Sequence, residues 1–152
     1  RTDKLTGLRN RRAFDEALGS EAARSERSGR PFCLLIGDID DFKSVNDTYG
    51  HAVGDEVLAA ISRLIEQAIR KGDTAYRLGG DEFAVILPDC PEAGGQDCLG
   101  RLAKAVEGFT APSTRAPLGM SLGMAAFEPG RSTTLDALIR RADERMYGRK
   151  RV

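Results

Sequence analysis

Thr74-Ala75-Tyr76-Arg77-Leu78, then Gly79-Gly80-Asp81, then Glu82-Phe83-Ala84-Val85-Ile86-Leu87 is the stretch that settles the architecture. Two β-rich runs separated by a glycine-centred gap predict a β-hairpin, since glycine accepts the positive φ that tight turns demand. Upstream, Phe32-Cys33-Leu34-Leu35-Ile36 is wholly apolar and reads as a strand buried on both faces. Between that strand and the hairpin lie a short amphipathic helix, Phe42 to Tyr49, closed by Gly50, and a longer one from Asp55 to Lys71. Val57, Leu58, Ile61, Leu64, Ile65, Ala68 and Ile69 recur along the longer helix on one face, and Gly72 ends it. A strand, a helical crossover and then a hairpin cannot make a purely parallel sheet.

Working outward, residues 11–27 predict a largely exposed helix with a thin stripe of Ala13, Phe14, Ala17 and Leu18, ended by Ser28-Gly29-Arg30-Pro31. After the hairpin come a weaker helix from Glu92 to Val106, diluted by glycines, and a small-residue strand from Leu118 to Phe127. Leu135, Leu138, Ile139, Ala142 and Met146 mark a final helix. The order implies an α+β sandwich, with helices packed on a mixed sheet. Ala111 to Pro117 reads as a loop too short to link domains, so residues 1–152 form one domain. A start at Arg1 rather than Met leads us to expect a fragment of a longer protein.

At 152 residues and 41% hydrophobic content, the chain can build one core. Its 23 basic and 23 acidic side chains balance, which argues against nucleic-acid or membrane-surface partners held by a basic excess. No apolar run is long enough for a bilayer, and we expect no leader peptide from the way the sequence opens. The cysteines, Cys33, Cys90 and Cys98, form no CxxC pair; small buried thiols at Cys33 and Cys98, in a reducing cytoplasm, are the expectation. One histidine excludes a His-rich zinc site, so any metal here is hard and oxygen-bound.

Carboxylates gather where the first strand ends, at Asp38 and Asp40, and beside the hairpin glycines, at Asp81 and Glu82. Period 2 sets Asp38 and Asp40 on one strand face. If the hairpin lies beside that strand, the acids converge on one rim, where carboxylates, a backbone carbonyl and phosphates would suit Mg²⁺. Solvated turn residues are the other reading. Asn46, His51 and Asp55 offer an amide, an imidazole and a carboxylate to a purine edge. For Asp55 the alternative is a helix-capping acid in the first turn.

These residues spell more than one motif. Arg77-Leu78-Gly79-Gly80-Asp81-Glu82-Phe83 carries the signature of the GGDEF domains, the bacterial diguanylate cyclases. Asp3-Lys4-Leu5-Thr6-Gly7-Leu8-Arg9-Asn10-Arg11-Arg12 resembles that family's opening segment. Asp38-Ile39-Asp40-Asp41-Phe42-Lys43, with Asn46-Asp47, Gly50-His51 and Gly54-Asp55, resembles its central stretch. Ala142-Asp143 with Tyr147-Gly148-Arg149-Lys150 is similar to its close. The resemblance spans essentially the whole chain.

What the resemblance implies is a palm-like fold with a ferredoxin-type βαββαβ core and a mixed, mainly antiparallel sheet flanked by helices. It further implies condensation of two GTP into cyclic di-GMP with release of two pyrophosphates. Asp38, Asp81 and the Ile39 carbonyl would hold two Mg²⁺ ions per site, Mn²⁺ being an alternative. Asp81, Glu82 and Lys43 would be catalytic. Phe42, Lys43, Asn46, His51, Asp55, Gly80 and Lys150 would bind GTP. Because one site holds one nucleotide, two chains must meet face to face in a transient homodimer. Arg70 and Asp73, at the family's spacing before the hairpin, would form the inhibitory site for cyclic di-GMP, against the plainer reading of a surface ion pair. The implied setting is cytoplasmic, with an upstream sensory part and no direct membrane contact from this domain. A catalytically silent receptor for GTP or cyclic di-GMP is the rival reading.

Overall fold

The computed structural model describes residues 1–114 and 118–150, with the side chains of 147–150 set aside. Residues 115–117, part of the loop expected after the fourth helix, lie outside the described residues. The elements run α1 (Arg11–Ser28), β1 (Phe32–Ile39), α2 (Phe42–Tyr49), α3 (His51–Ala68), β2 (Thr74–Gly79), β3 (Glu82–Leu87), α4 (Glu92–Glu107), β4 (Met120–Phe127) and α5 (Leu135–Lys150). The strands lie in the order β2-β3-β1-β4, and every pairing between them is antiparallel. The expected mixed character shrinks to isolated parallel bridges, Arg9 with Tyr76 and Lys71 with Asp73.

β1 is central and covered on both faces, as its apolar run requires. Cys33, Leu35 and Ile39 pack with Val57, Ile61 and Ile65 of α3 and with Leu99, Leu102 and Val106 of α4. Phe32, Leu34 and Ile36 turn the other way, onto Phe14 and Leu18 of α1 and Leu138, Ala142 and Met146 of α5. Helices therefore cover both sides of one sheet, the expected sandwich. β1 keeps its ladder through Gly37 to Ile39 because β3 and β4 flank it on both sides.

Local signals agree with these ends. Asn10 caps α1, its side chain accepting from Ala13 N–H, and Gly29 closes the helix at φ 75°. All three cysteines are buried and free, and burial pushes the Cys33 thiol well above its ordinary value. No described helix is long and apolar enough to cross a membrane.

α5 crosses β4 at Gly123, and the crossing is backbone on backbone. A Cβ at Gly123 would stand 2.1 Å from the Ala142 carbonyl oxygen and 2.5 Å from the Met146 nitrogen. Arg141 and Arg145 of α5 also donate to the carbonyls of Ala126 and Met124 on β4. Two carbonyls of this edge strand are thereby occupied.

Candidate active site

Two acidic segments distant in sequence meet at the end of β1. Asp38 stands directly opposite Glu82 in the β1–β3 register. One residue on, the Ile39 N–H donates to the Asp81 carbonyl at 3.3 Å. The hairpin joining β2 and β3 turns through Gly80, at φ 53°, with a bulge just before it. Asp81 sits in that turn, half-buried like Asp38 and Glu82.

Like charges crowd this rim. Burial raises the Glu82 carboxyl above its ordinary value, and the Asp143 carboxylate adds to the effect, as do Asp38 and Asp81, while Arg11 opposes it. Asp143, on α5, is raised by burial and by Asp38, again against Arg11. Carboxylates that push one another toward protonation are relieved by a shared cation. Among the described residues, no three Asp, Glu, His or Cys side chains converge closely enough to hold a metal unaided. The available donors are oxygens: carboxylates on two facing segments and the neighbouring Ile39 carbonyl. That set fits a hard divalent ion completed by a ligand's phosphates, which Mg²⁺ favours over an all-protein cage.

Asp40 does not join them. β1 ends at Ile39 and the chain turns at Asp40–Asp41, where Asp41 adopts φ 56°. The period-2 expectation for Asp38 and Asp40 therefore stops applying at the residue that mattered. Instead, Ser121 Oγ donates to Asp40 Oδ1 at 2.6 Å, and Asp40 N–H bonds the Gly119 carbonyl at 2.9 Å. Asp40 ties the turn after β1 to the start of β4.

Directly after that turn, α2 carries Phe42, Lys43 and Asn46. The exposed Lys43 follows half-buried Phe42, and Asn46 is half-buried one turn on. α3 begins at His51, one turn earlier than the sequence pattern placed it, because Gly50 at φ 93° both ends α2 and starts α3. His51 and Asp55 are exposed and i, i+4 on the same helix face. Asp55 is consequently in the second turn, and the first turn of α3 holds no acidic residue. The capping alternative for Asp55 is lost. Lys150 closes α5, and its side chain lies outside the described residues.

The opening motif packs on the hairpin through a contact between segments far apart in the chain. Arg77 donates from Nε and Nη2 to the Gly80 carbonyl at 3.1 and 2.9 Å. Its Nη1 reaches both oxygens of Asp3 at 3.1 and 3.2 Å. Asp3 also accepts from Thr6 N–H and Oγ1. Burial alone would raise the Asp3 carboxyl, but the Thr6 and Arg77 hydrogen bonds outweigh it and hold the group below its ordinary value. A guanidinium fork grips turn and opening segment together. The signal was an arginine with an odd spacing from the glycines, readable only once the turn's geometry is known.

Arg70 and Asp73 lie beyond α3, not at its end, since the helix stops at Ala68 and Ile69 is extended. Arg70 Nη2 donates to Asp73 Oδ1 at 3.1 Å, and Nε and the backbone N–H donate to Oδ2 at 3.2 and 2.9 Å. Nη2 also reaches the Pro88 carbonyl at 3.2 Å. Asp73 shows only 1% of its side chain to solvent while Arg70 shows 52%. The pair opens onto a cleft of about 350 Å³ shared with Leu8, Arg9, Glu66 and Ile69.

Comparison with known proteins bears on the family and the fold. The family described as "Diguanylate cyclase, GGDEF domain" matches residues 1–152. Diguanylate cyclase DgcP of Pseudomonas aeruginosa is 40% identical over 152 residues, covering 99% of this chain and 22% of its own. Response regulator PleD of Caulobacter vibrioides is 40% identical over 153 residues, covering 98% and 34%. The solved GGDEF domain of DgcB from Caulobacter crescentus, in complex with c-di-GMP, superposes with a TM-score of 0.90 at 35% identity, covering 99% of this chain and 87% of that one. The chain thus spans between about a fifth and a third of these two curated relatives. A match running through every motif and every strand of the sheet makes this chain a member of the GGDEF domain family of diguanylate cyclases.

Proposed function

We propose that this domain condenses two GTP into cyclic di-GMP with release of two pyrophosphates. One observation carries the reading: Asp38 opposite Glu82, with the Asp81 carbonyl on the Ile39 N–H, gathers the acids of two motifs at one rim. Mg²⁺ bound there would neutralise triphosphate charge and acidify the attacking 3′-hydroxyl. Asp38, Asp81 and the Ile39 carbonyl would hold two such ions. The Asp81 carboxylate takes the hydroxyl proton, with Glu82 as second acceptor, while the oxygen forms a bond to the α-phosphorus of the other nucleotide and the bond to pyrophosphate breaks. Phe42, Lys43, Gly80 and Lys150 bed the triphosphate, and the Lys43 ammonium meets its charge. Asn46 and Asp55 read guanine, Asp55 accepting from N1–H and N2–H₂, with His51 beside them.

Each domain positions one GTP, so the product's symmetry calls for two domains related by a two-fold axis. In a longer protein, an upstream sensory or regulatory part would set their encounter. The decisive test is to incubate the chain with GTP and Mg²⁺, resolve products by chromatography, and vary protein concentration. Cyclic di-GMP formed at a rate steeper than first order in protein is expected. Its absence under all concentrations would favour a silent receptor domain.

We further read Arg70 and Asp73 as the inhibitory product site. Their mutual pairing preorganises an exposed guanidinium for phosphate or a guanine Hoogsteen edge. Arg70→Ala is expected to weaken cyclic di-GMP binding by about tenfold or more in calorimetry. Unchanged affinity would leave the pair as a structural clamp for the chain between α3 and β2.

A further inference from the structure

We infer that Gly54 is a positioning residue for the base-reading amide, its missing side chain being the seat of Asn46. This rests on the proposed reading of Asn46 as a guanine contact. A Cβ on Gly54 would stand 1.8 Å from Asn46 Oδ1 and 3.0 Å from its Cγ, with Phe42 Cζ next at 3.4 Å. Asn46 belongs to α2 and Gly54 to α3, two helices joined through Gly50 alone. The seat therefore forms only when the two helices fold back on each other.

Nothing local asks for glycine at this position. Gly54 is buried within α3 and is not among the residues of positive φ. A helix interior favours alanine over glycine. The requirement is one of space, and one atom of one side chain fills that space. With Oδ1 held in the seat, the amide's donating end, Nδ2, is left to meet purine acceptor atoms. Any side chain at position 54 would rotate the amide out of that pose, with the base-binding geometry following it.

This seat differs in kind from the one at Gly123. There the missing Cβ is replaced by helix backbone, at Ala142 and Met146. Here the occupant is the end of a side chain, which can rotate away, and Phe42 stays at ordinary contact distance. Gly54→Ala is thus expected to keep the fold and to displace Asn46.

The experiment uses 3′-deoxyguanosine triphosphate with Mg²⁺, a probe without the attacking hydroxyl that binds without turnover. Its affinity is measured by calorimetry on the chain, on Gly54→Ala, on Asn46→Ala and on the double variant, beside melting temperatures and kcat at saturating GTP. Each single change is expected to weaken binding about tenfold, the worth of one hydrogen bond. The double variant should be no weaker than either single one, because seat and occupant act as one unit. Gly54→Ala should melt no lower than the parent, and its kcat should change less than its affinity. Should Gly54→Ala fail to fold, the double variant, relieved of the clash, is expected to fold and supports the seat; its failure overturns it. Parental affinity in Gly54→Ala while Asn46→Ala binds weakly, or losses that multiply to about a hundredfold in the double variant, would also overturn the inference. If Asn46→Ala binds as the parent does, the guanine reading itself falls, a result separate from these.

Discussion

Asp81→Asn is expected to lower turnover by about 10³-fold or more while the chain keeps its fold and melts near the parent temperature. Asn is isosteric with Asp, and the backbone bond that seats this residue, from the Ile39 N–H to the Asp81 carbonyl, does not involve the side chain. What changes is charge. The amide cannot take the proton of the 3′-hydroxyl and binds a divalent cation poorly, so both of the roles proposed for Asp81 disappear together. The rim itself would be less crowded, because Asp81 is one of the groups that raise the Glu82 carboxyl. Steady-state rates of cyclic di-GMP formation and a thermal melt check the two halves. Retention of more than about a few per cent of activity would remove Asp81 from the chemistry.

Gly123→Ala is the substitution expected to damage the fold most. The added carbon would press into the Ala142 carbonyl and the Met146 nitrogen, at 2.1 and 2.5 Å, and neither is a side chain that can swing aside. α5 must then lift from β4, thinning the packing of Leu138, Ala142 and Met146 on Phe32, Leu34 and Ile36. Overpacking against a rigid element costs about 3 kcal/mol, a large share of the roughly 5–15 kcal/mol that holds a domain together. A fall in melting temperature on the order of 10 °C follows. The same shift moves Asp143, and with it the electrostatics of Glu82. A variant melting with the parent would mean that α5 sits on β4 less closely than these distances require.

Much of the domain could be read from residue order alone. The hairpin, the doubly buried first strand and the helices other than α3 appear where periodicity and glycine punctuation placed them, since each such signal is local. The errors fall where local rules stop. α3 starts at His51 rather than Asp55 because Gly50 allows two helices to abut with no intervening loop. Asp40 departs from Asp38 because a strand ended one residue sooner than alternation assumed, and Ser121 was there to receive it. The longer helix ends at Ala68, which leaves Arg70 outside it and free to fold back on Asp73.

The site divides in the same way. Asp38, Asp81, Glu82, Asn46 and Asp55 could be put forward as site residues from the motifs they share with the family, because each motif is a stretch of consecutive sequence. Arg77 linking Asp3 to the Gly80 carbonyl, and Gly54 making room for Asn46, could not be, because each is a relation between segments rather than a property of one.

Residue order by itself determined which elements form, which acids and amides are available, and which family the chain resembles; these follow from side-chain chemistry and hydrophobic period. Only the tertiary structure decided the strand order β2-β3-β1-β4, the meeting of Asp38 with Glu82, and the glycines that had to stay bare. Register and close approach depend on packing between segments far apart in the chain, and no local pattern encodes how near two backbones will come.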